Sequence, residues 1–319
     1  MAVNDGAIGT GGAALARGRY WLLLAGAFIV YASANAVVPI AEELRALLGR
    51  APGGAGVFLA PFATGFGIGC LVWFLLARTR PARLVLPLAL AVTGLGGLLS
   101  VLALGEGGMM WGRLLAGLGA AGYPAAAQAL IATGAPSARR GQMIGGFITA
   151  VVAGSFIGQA LVGALAELAS ARLALVVVCT IAPALAALAL WRALPAAPDA
   201  RRVARVSYVP PRAIAPAMAV ALLAFAGYWL LLAELPAALR TERYGLGAAA
   251  AGTLSLLGLL GAVTALVAGR VADRRGQRLP ATVTLIIGVA GLTLTLSPAT
   301  PLWLFAVGYG LFLAAYWAL

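Results

Sequence analysis

Ten stretches of mostly apolar residues, each near the length of a membrane-spanning helix, are separated by short turns in which arginine is the commonest charge. A helix satisfies its own backbone hydrogen bonds in hydrocarbon, and about 20 apolar residues carry it across. Spans are therefore expected near 20–41, 55–77, 84–104, 109–133, 141–165, 171–194, 214–238, 248–269, 280–297 and 301–319. Composition agrees, with 63% of the 319 residues hydrophobic and 10% charged, against about 45–50% and about 25% in soluble domains. Helices that are apolar all round need lipid or a very large core to hide them. The expected fold class is all-α, a polytopic bundle in a lipid bilayer.

The net charge of +13 comes from arginine alone, since the chain has neither lysine nor histidine. The arginines cluster between spans: Arg78, Arg80 and Arg83; Arg139 and Arg140; Arg201, Arg202 and Arg205; Arg270, Arg274, Arg275 and Arg278. This spacing describes turns on one side of a membrane, and it excludes the soluble basic face that nucleic acid requires. The positive-inside rule puts those turns, with Arg17 and Arg19, in the cytoplasm. The opposite loops mix Arg45, Arg50, Arg172, Arg240 and Arg243 with Glu42, Glu43, Glu106, Glu167 and Glu242. The expected location is the cytoplasmic (inner) membrane, multi-pass, with the N-terminus cytoplasmic.

Polar residues punctuate the chain once at length. Residues 195–213, with Asp199 and the Pro210-Pro211 pair, separate six spans from four. The expected organisation is a tail over 1–19, a six-helix half over 20–194, a linker over 195–213 and four helices over 214–319. Arg17 and Arg19 followed by an apolar run and Ala32-Ser33-Ala34 resemble a secretory leader. The apolar run continues through Ile40, however, so an uncleaved first span is expected.

Catalytic chemistry finds little support. Cys70 and Cys179 lie in apolar runs with no second cysteine or histidine beside them, and are expected to be small buried hydrophobes. No metal and no cofactor is expected. Neither paired intramembrane carboxylates nor a nucleotide-binding loop is present, so an enzyme or an ATP-driven pump is not expected.

The sharpest motif is Gly269-Arg270-Val271-Ala272-Asp273-Arg274-Arg275-Gly276-Gln277-Arg278, after the eighth span. Glycine lets a helix end turn, aspartate caps or pairs across helices, and the arginines face the cytoplasm. This stretch resembles the signature loop G-x-L-A-D-R-x-G-R-R of the major facilitator superfamily. Arg113-Leu114-Leu115-Ala116-Gly117-Leu118-Gly119-Ala120-Ala121-Gly122, followed by Pro124 and Gln128, is similar to that family's fourth-helix pattern R-x-x-x-G-x-G. Gly154, Gly158, Gln159 and Gly163 partly resemble its antiporter pattern G-x-x-x-G-P-x-x-G-G, with Gln159 where proline is expected; close helix packing explains the same glycines. After the second span, where the family repeats its signature, stand Trp73, Ala77, Arg78 and Arg83, without the glycine or the aspartate.

The resemblance implies a major-facilitator-type bundle of two six-helix halves, of which this chain supplies six helices and four. It ends inside apolar sequence at Tyr316-Trp317-Ala318-Leu319, so truncation is expected. It also implies a secondary transporter working as a monomer by alternating access, with spans one, four, seven and ten around a central cavity. The expected cargo is a drug, sugar or similar metabolite, moved outward. The alternative is a non-transporting membrane protein or inactive fragment. Aromatics beside amides suggest substrate contacts at Tyr31, Asn35, Tyr123, Gln128, Tyr228 and Trp229. Ionisable groups inside spans suggest coupling residues: Arg113, expected to pair with Glu42, Glu43 or Glu234, and Glu234 as a proton carrier. Gly269, Asp273, Arg274, Gly276 and Arg278 are the expected gating residues.

Overall fold

The computed structural model describes residues 15, 17–51, 54–102, 105–136, 139–194, 244–275, 278–297 and 300–318. The elements are α1 (Arg17–Asn35), a short α2 (Ala41–Leu47), α3 (Gly56–Thr79), α4 (Ala82–Leu102), α5 (Glu106–Ala120), α6 (Gly122–Gly134) and α7 (Arg140–Leu168). Then come α8 (Ala171–Leu175), a π turn (Val176–Ile181), α9 (Ala182–Ala193), α10 (Ala248–Leu254), a 3-10 turn (Ser255–Leu259), α11 (Leu260–Arg275), α12 (Arg278–Leu296) and α13 (Leu302–Ala318). The fold is an all-α bundle. The expected linker at 195–213 and span at 214–238 lie outside the described residues.

Among the described residues, six helices are long and apolar enough to cross a membrane: Gly56–Ala77, Ala82–Leu102, Glu106–Gly134, Arg140–Leu168, Ala171–Ala193 and Leu279–Leu296. Three other expected spans are shorter or interrupted, each for a local reason. α1 stops at Asn35, not at 41, because Pro39 has no N–H to donate to the Asn35 carbonyl and disfavours helix in the residue before it. The turn that follows is itself buried, which is why the apolar run outlasts the helix. The eighth span is broken by the 3-10 turn and then runs past 269 to Arg275. Gly269 therefore lies within a helix and does not end it, a correction to the expected turn. The last helix has 17 residues.

Prolines also set two internal breaks. Pro124 cannot donate to the carbonyl of Ala120, and the fourth span divides at Ala121 into α5 and α6. Pro183 cannot donate to Cys179, and the preceding turn widens to π geometry. Ser33 Oγ of α1 donates to the Val178 carbonyl in that turn, at 2.9 Å. Irregular backbone persists at membrane depth only where protein groups satisfy it.

The outer surface is built for lipid. Ile68, Leu71, Val72, Phe74 and Leu75 are exposed along α3, as are Leu285, Ile286 and Val289 on α12. Cys70 shares that exposed face of α3 and is not buried as expected; Cys179 is buried. Successive spans alternate direction, so Arg17, Arg80, Arg83, Arg139, Arg140 and Arg192 gather at one end of the bundle, called here the arginine-rich end. Exposed Trp21 and Trp191 lie near it, and exposed Trp111 and Trp303 near the far end, where interfacial belts belong. At the far end Arg50 makes a bidentate salt bridge to Glu106, and Arg45 donates to the carbonyls of Ala51 and Gly54, at 3.2 and 3.1 Å.

Glycines allow the helices to cross closely. A side chain on Gly117 of α5 would overlap the Phe62 carbonyl of α3, and one on Gly65 of α3 would overlap the Leu114 carbonyl of α5. On α7, Gly154 and Gly158 meet Phe28 and Ala32 of α1, so the packing reading accounts for that glycine series.

Two apolar clusters fill the interior. The far-end cluster joins both halves, bringing Val37, Phe58 and Phe156 together with Ala251, Phe305 and Tyr309. The cluster at the arginine-rich end contains, among the described residues, only members from 15–194, including Leu23, Phe62, Leu86 and Phe147. Consistently, α7 packs along α10 and the 3-10 turn but barely touches α11. Among the described residues, the helices before 195 and those after 243 meet chiefly at the far end.

Candidate functional site

Arg113 is the most deeply buried charge among the described residues, 2% exposed on α5. Its Nη1 and Nη2 donate to the carbonyls of Ser33 (3.0 Å) and Ala34 (2.7 Å), and its Nε to Phe58 (3.2 Å). The guanidinium carbon lies 4.6 Å from the centre of the Phe62 ring. The carbonyls of Ser33 and Ala34 are free because α1 ends at Asn35: Val37 and Val38 have left the helix, and Val38 N turns instead to the Asn35 carbonyl, at 3.1 Å. A cation at the negative end of a helix is favourable, and a fork of donors matches two adjacent carbonyls. Arg113 thus caps α1 from a neighbouring helix. The expected pairing with Glu42 or Glu43 gives way to carbonyl partners, since those acids sit on α2 beyond the turn; Glu234 lies outside the described residues.

A second polar group lies on the seam between the halves. Gln159 of α7 is 0% exposed and Ser255 of the 3-10 turn 1% exposed. Ser255 Oγ donates to Gln159 Oε1 at 2.8 Å, while Gln159 Nε2 donates to the Ser155 carbonyl at 2.8 Å. The buried Tyr309 hydroxyl of α13 stands beside Ser255 but outside hydrogen-bonding geometry. Above this group Glu167 Oε1 accepts from Ala249 N at 2.7 Å, also across the seam. Below it the Phe156 ring packs on Gly258. One sign of this pair is legible in the sequence, an amide standing where the antiporter pattern has proline, but Ser255 lies 96 residues away.

The expected substrate contacts divide. Tyr31 is half-buried on α1. Asn35 is buried, its amide nitrogen donating to the Tyr31 carbonyl (3.1 Å) and its Oδ1 without a partner among the described residues. Gln128 is half-buried on α6. Tyr123 is fully buried, its hydroxyl donating to the Leu23 carbonyl at 2.9 Å and its ring against Gly26. That residue fastens α6 to α1 and presents no surface to a solute. Tyr228, Trp229 and Glu234 lie outside the described residues. Among the expected gating residues, Gly269, Asp273 and Arg274 lie in the last turns of α11, Arg278 opens α12, and Gly276 lies outside the described residues. A small pocket of about 60 Å³ at the far end, lined by Leu44, Leu48, Ser100, Met109, Arg172 and Leu175, is well below the several hundred Å³ of ligand sites.

This architecture has a counterpart in sequence space: the profile of the Major Facilitator Superfamily matches residues 23–319. The chain belongs to the Major Facilitator Superfamily. As a member it is a multi-pass membrane protein of a secondary-transporter family. Direct sequence comparison with curated proteins finds no match. Solved superfamily structures share the fold. A bacterial homologue of the human lysosomal transporter Spinster, in an inward-facing and unoccupied conformation, superposes with a TM-score of 0.74 at 17% identity, over 94% of this chain and 73% of that one. The xylose transporter XylE from E. coli, in an inward-open conformation, gives 0.71 at 14% identity, over 94% and 79%. The nucleoside transporter NupG gives 0.61 at 12% identity, over 94% and 79%. At these identities the likeness is one of fold.

Proposed function

We propose that this chain carries a small neutral solute outward across the cytoplasmic membrane by alternating access, with its arginine-rich end in the cytoplasm. The reading is supported chiefly by one observation, the contrast between a far-end core that draws on both halves and an opposite core that, among the described residues, draws only on 15–194. Two bodies joined at one end and parted at the other form a crevice, and rocking them exposes a site between them to each side in turn. The positive-inside rule assigns the open end to the cytoplasm. In this account residues 20–194 move against 214–319 about the 195–213 linker.

Tyr31, Asn35 and Gln128, with Tyr228 and Trp229 of the seventh span, supply the solute contacts. Aromatic faces and amides suit a sugar-like or partly apolar solute better than an ion. The signature residues Gly269, Asp273, Arg274, Gly276 and Arg278 form the cytoplasmic gate, and Glu234 is the candidate proton carrier. Arg113 takes a fixed structural role, capping α1.

The test is flux in proteoliposomes. A panel of radiolabelled neutral sugars, nucleosides and lipophilic dyes should include at least one solute with saturable uptake, inhibited by excess unlabelled solute. Folded, inserted protein that moves none of them faster than empty vesicles would make this a non-transporting membrane protein.

A further inference from the structure

We propose that the hydrogen bond from Ser255 to Gln159, with Tyr309 packed beside it, is the latch that holds the two halves together at the far end. The inference rests on the alternating-access reading and names the contact that must break for the far end to open.

Between the Glu167–Ala249 bond at its outer rim and the Phe156 ring on Gly258, the seam between α7 and the α10–3-10 segment is lined by small residues. Gly163 meets Ala248, and Gly252 meets the backbone of Gln159 and Ala160. This small-residue stretch is close and smooth; the apolar core holds it without fixing its register, and the Glu167–Ala249 bond lies at its exposed rim. Gln159 and Ser255 add the directional element, from opposite halves and both almost wholly buried. The bond sits where the eighth span changes to 3-10 geometry, the kind of mid-helix irregularity that marks a hinge.

Each partner also has a hydrogen bond within its own half. Ser255 Oγ lies 3.2 Å from the Ala251 carbonyl, and Gln159 Nε2 donates to the Ser155 carbonyl at 2.8 Å. When the seam parts, the serine hydroxyl keeps an acceptor on its own helix, and the amide keeps one bond while its oxygen meets water entering the crevice. Both groups are neutral, so opening strands no buried charge. A latch of this kind holds with the strength of one neutral hydrogen bond and releases without an ionic barrier.

The test reads the seam directly and needs no knowledge of the solute. Ala251, buried one helical turn before Ser255, is replaced by cysteine in a Cys70→Ala, Cys179→Ala background. Its reaction with a membrane-impermeant maleimide is timed in proteoliposomes, with Leu47→Cys on exposed α2 as a control for folding. Gln159→Leu and Ser255→Ala should each speed labelling of Cys at 251 by about 2- to 10-fold, the worth of one neutral hydrogen bond. Labelling at 47 should stay at the parental rate. The double variant should be no faster than the faster single one, because both remove the same bond, and Gln159→Glu, which retains an acceptor, should be closer to the parent than Gln159→Leu. Unchanged labelling at 251 in both single variants, or fully additive effects, would overturn the latch. Faster labelling in a protein that moves no solute would keep the latch and remove the transport reading instead.

Discussion

Replacing Arg113 by methionine separates a structural cap from a charge pair. The side chain keeps most of its length, but the buried Ala34 carbonyl loses its donor and the Ser33 carbonyl keeps only the weak Cys179 thiol, at 3.7 Å. Phe58 also loses its bond from Nε. A buried acceptor left unsatisfied costs about 1–3 kcal/mol, so Ala34 with the weakly bonded Ser33 amounts to about 2–5 kcal/mol. Relief of the guanidinium's own desolvation offsets part of this, leaving an expected net destabilisation of about 2–3 kcal/mol. Arg113→Lys retains the charge but not the planar fork, and should recover less than half of the loss. The assay is equilibrium unfolding in mixed micelles with rising sodium dodecyl sulfate, followed by tryptophan fluorescence. Arg113→Met as stable as the parent would refute the capping account. So would full recovery by Arg113→Lys, which would mean that charge alone matters. An altered pH dependence of flux with unchanged stability would return Arg113 to a carboxylate partner.

Other substitutions test the packing and the gate. Gly117→Val forces a side chain into the Phe62 carbonyl and should destabilise by about 3 kcal/mol or more, whereas Gly67→Ala, on the open face of α3 with nothing within 4 Å, should be neutral or stabilising by up to about 1 kcal/mol; melting followed by size-exclusion profile compares them. Tyr123→Phe should lose about 0.5–1.5 kcal/mol of stability with KM unchanged, while Asn35→Ala should raise KM, and flux titrations distinguish the two. Asp273→Asn should slow flux by about tenfold or more, as removal of a charge from the proposed gate implies, with membrane insertion at the parental level; unchanged flux would exclude a gating role.

The spans were legible because hydrocarbon imposes one requirement, a long apolar run, that few sequences meet by accident. Their ends were less so. Pro39 stops α1 at Asn35, yet the buried turn beyond it is as apolar as the helix, so hydropathy runs through the break. Pro124 and Pro183 were visible, but whether a missing N–H yields a break or a π turn depends on neighbours, here Ser33 on the Val178 carbonyl. Arg113 stood out as an intramembrane charge. Its partners did not, because backbone carbonyls carry no sequence mark and become available only where another helix happens to end. Gln159 and Ser255 each look ordinary; only the fold brings them together.

In the proposed cycle the far end closes and opens while a solute crosses. Cysteines at Glu167 and Ala249, whose side chain and backbone now touch across the seam, are joined with a short bis-thiosulfonate in transporting proteoliposomes. The cross-link should stop flux, and reduction should restore it. Flux that continues at its full rate with the link in place would contradict that cycle.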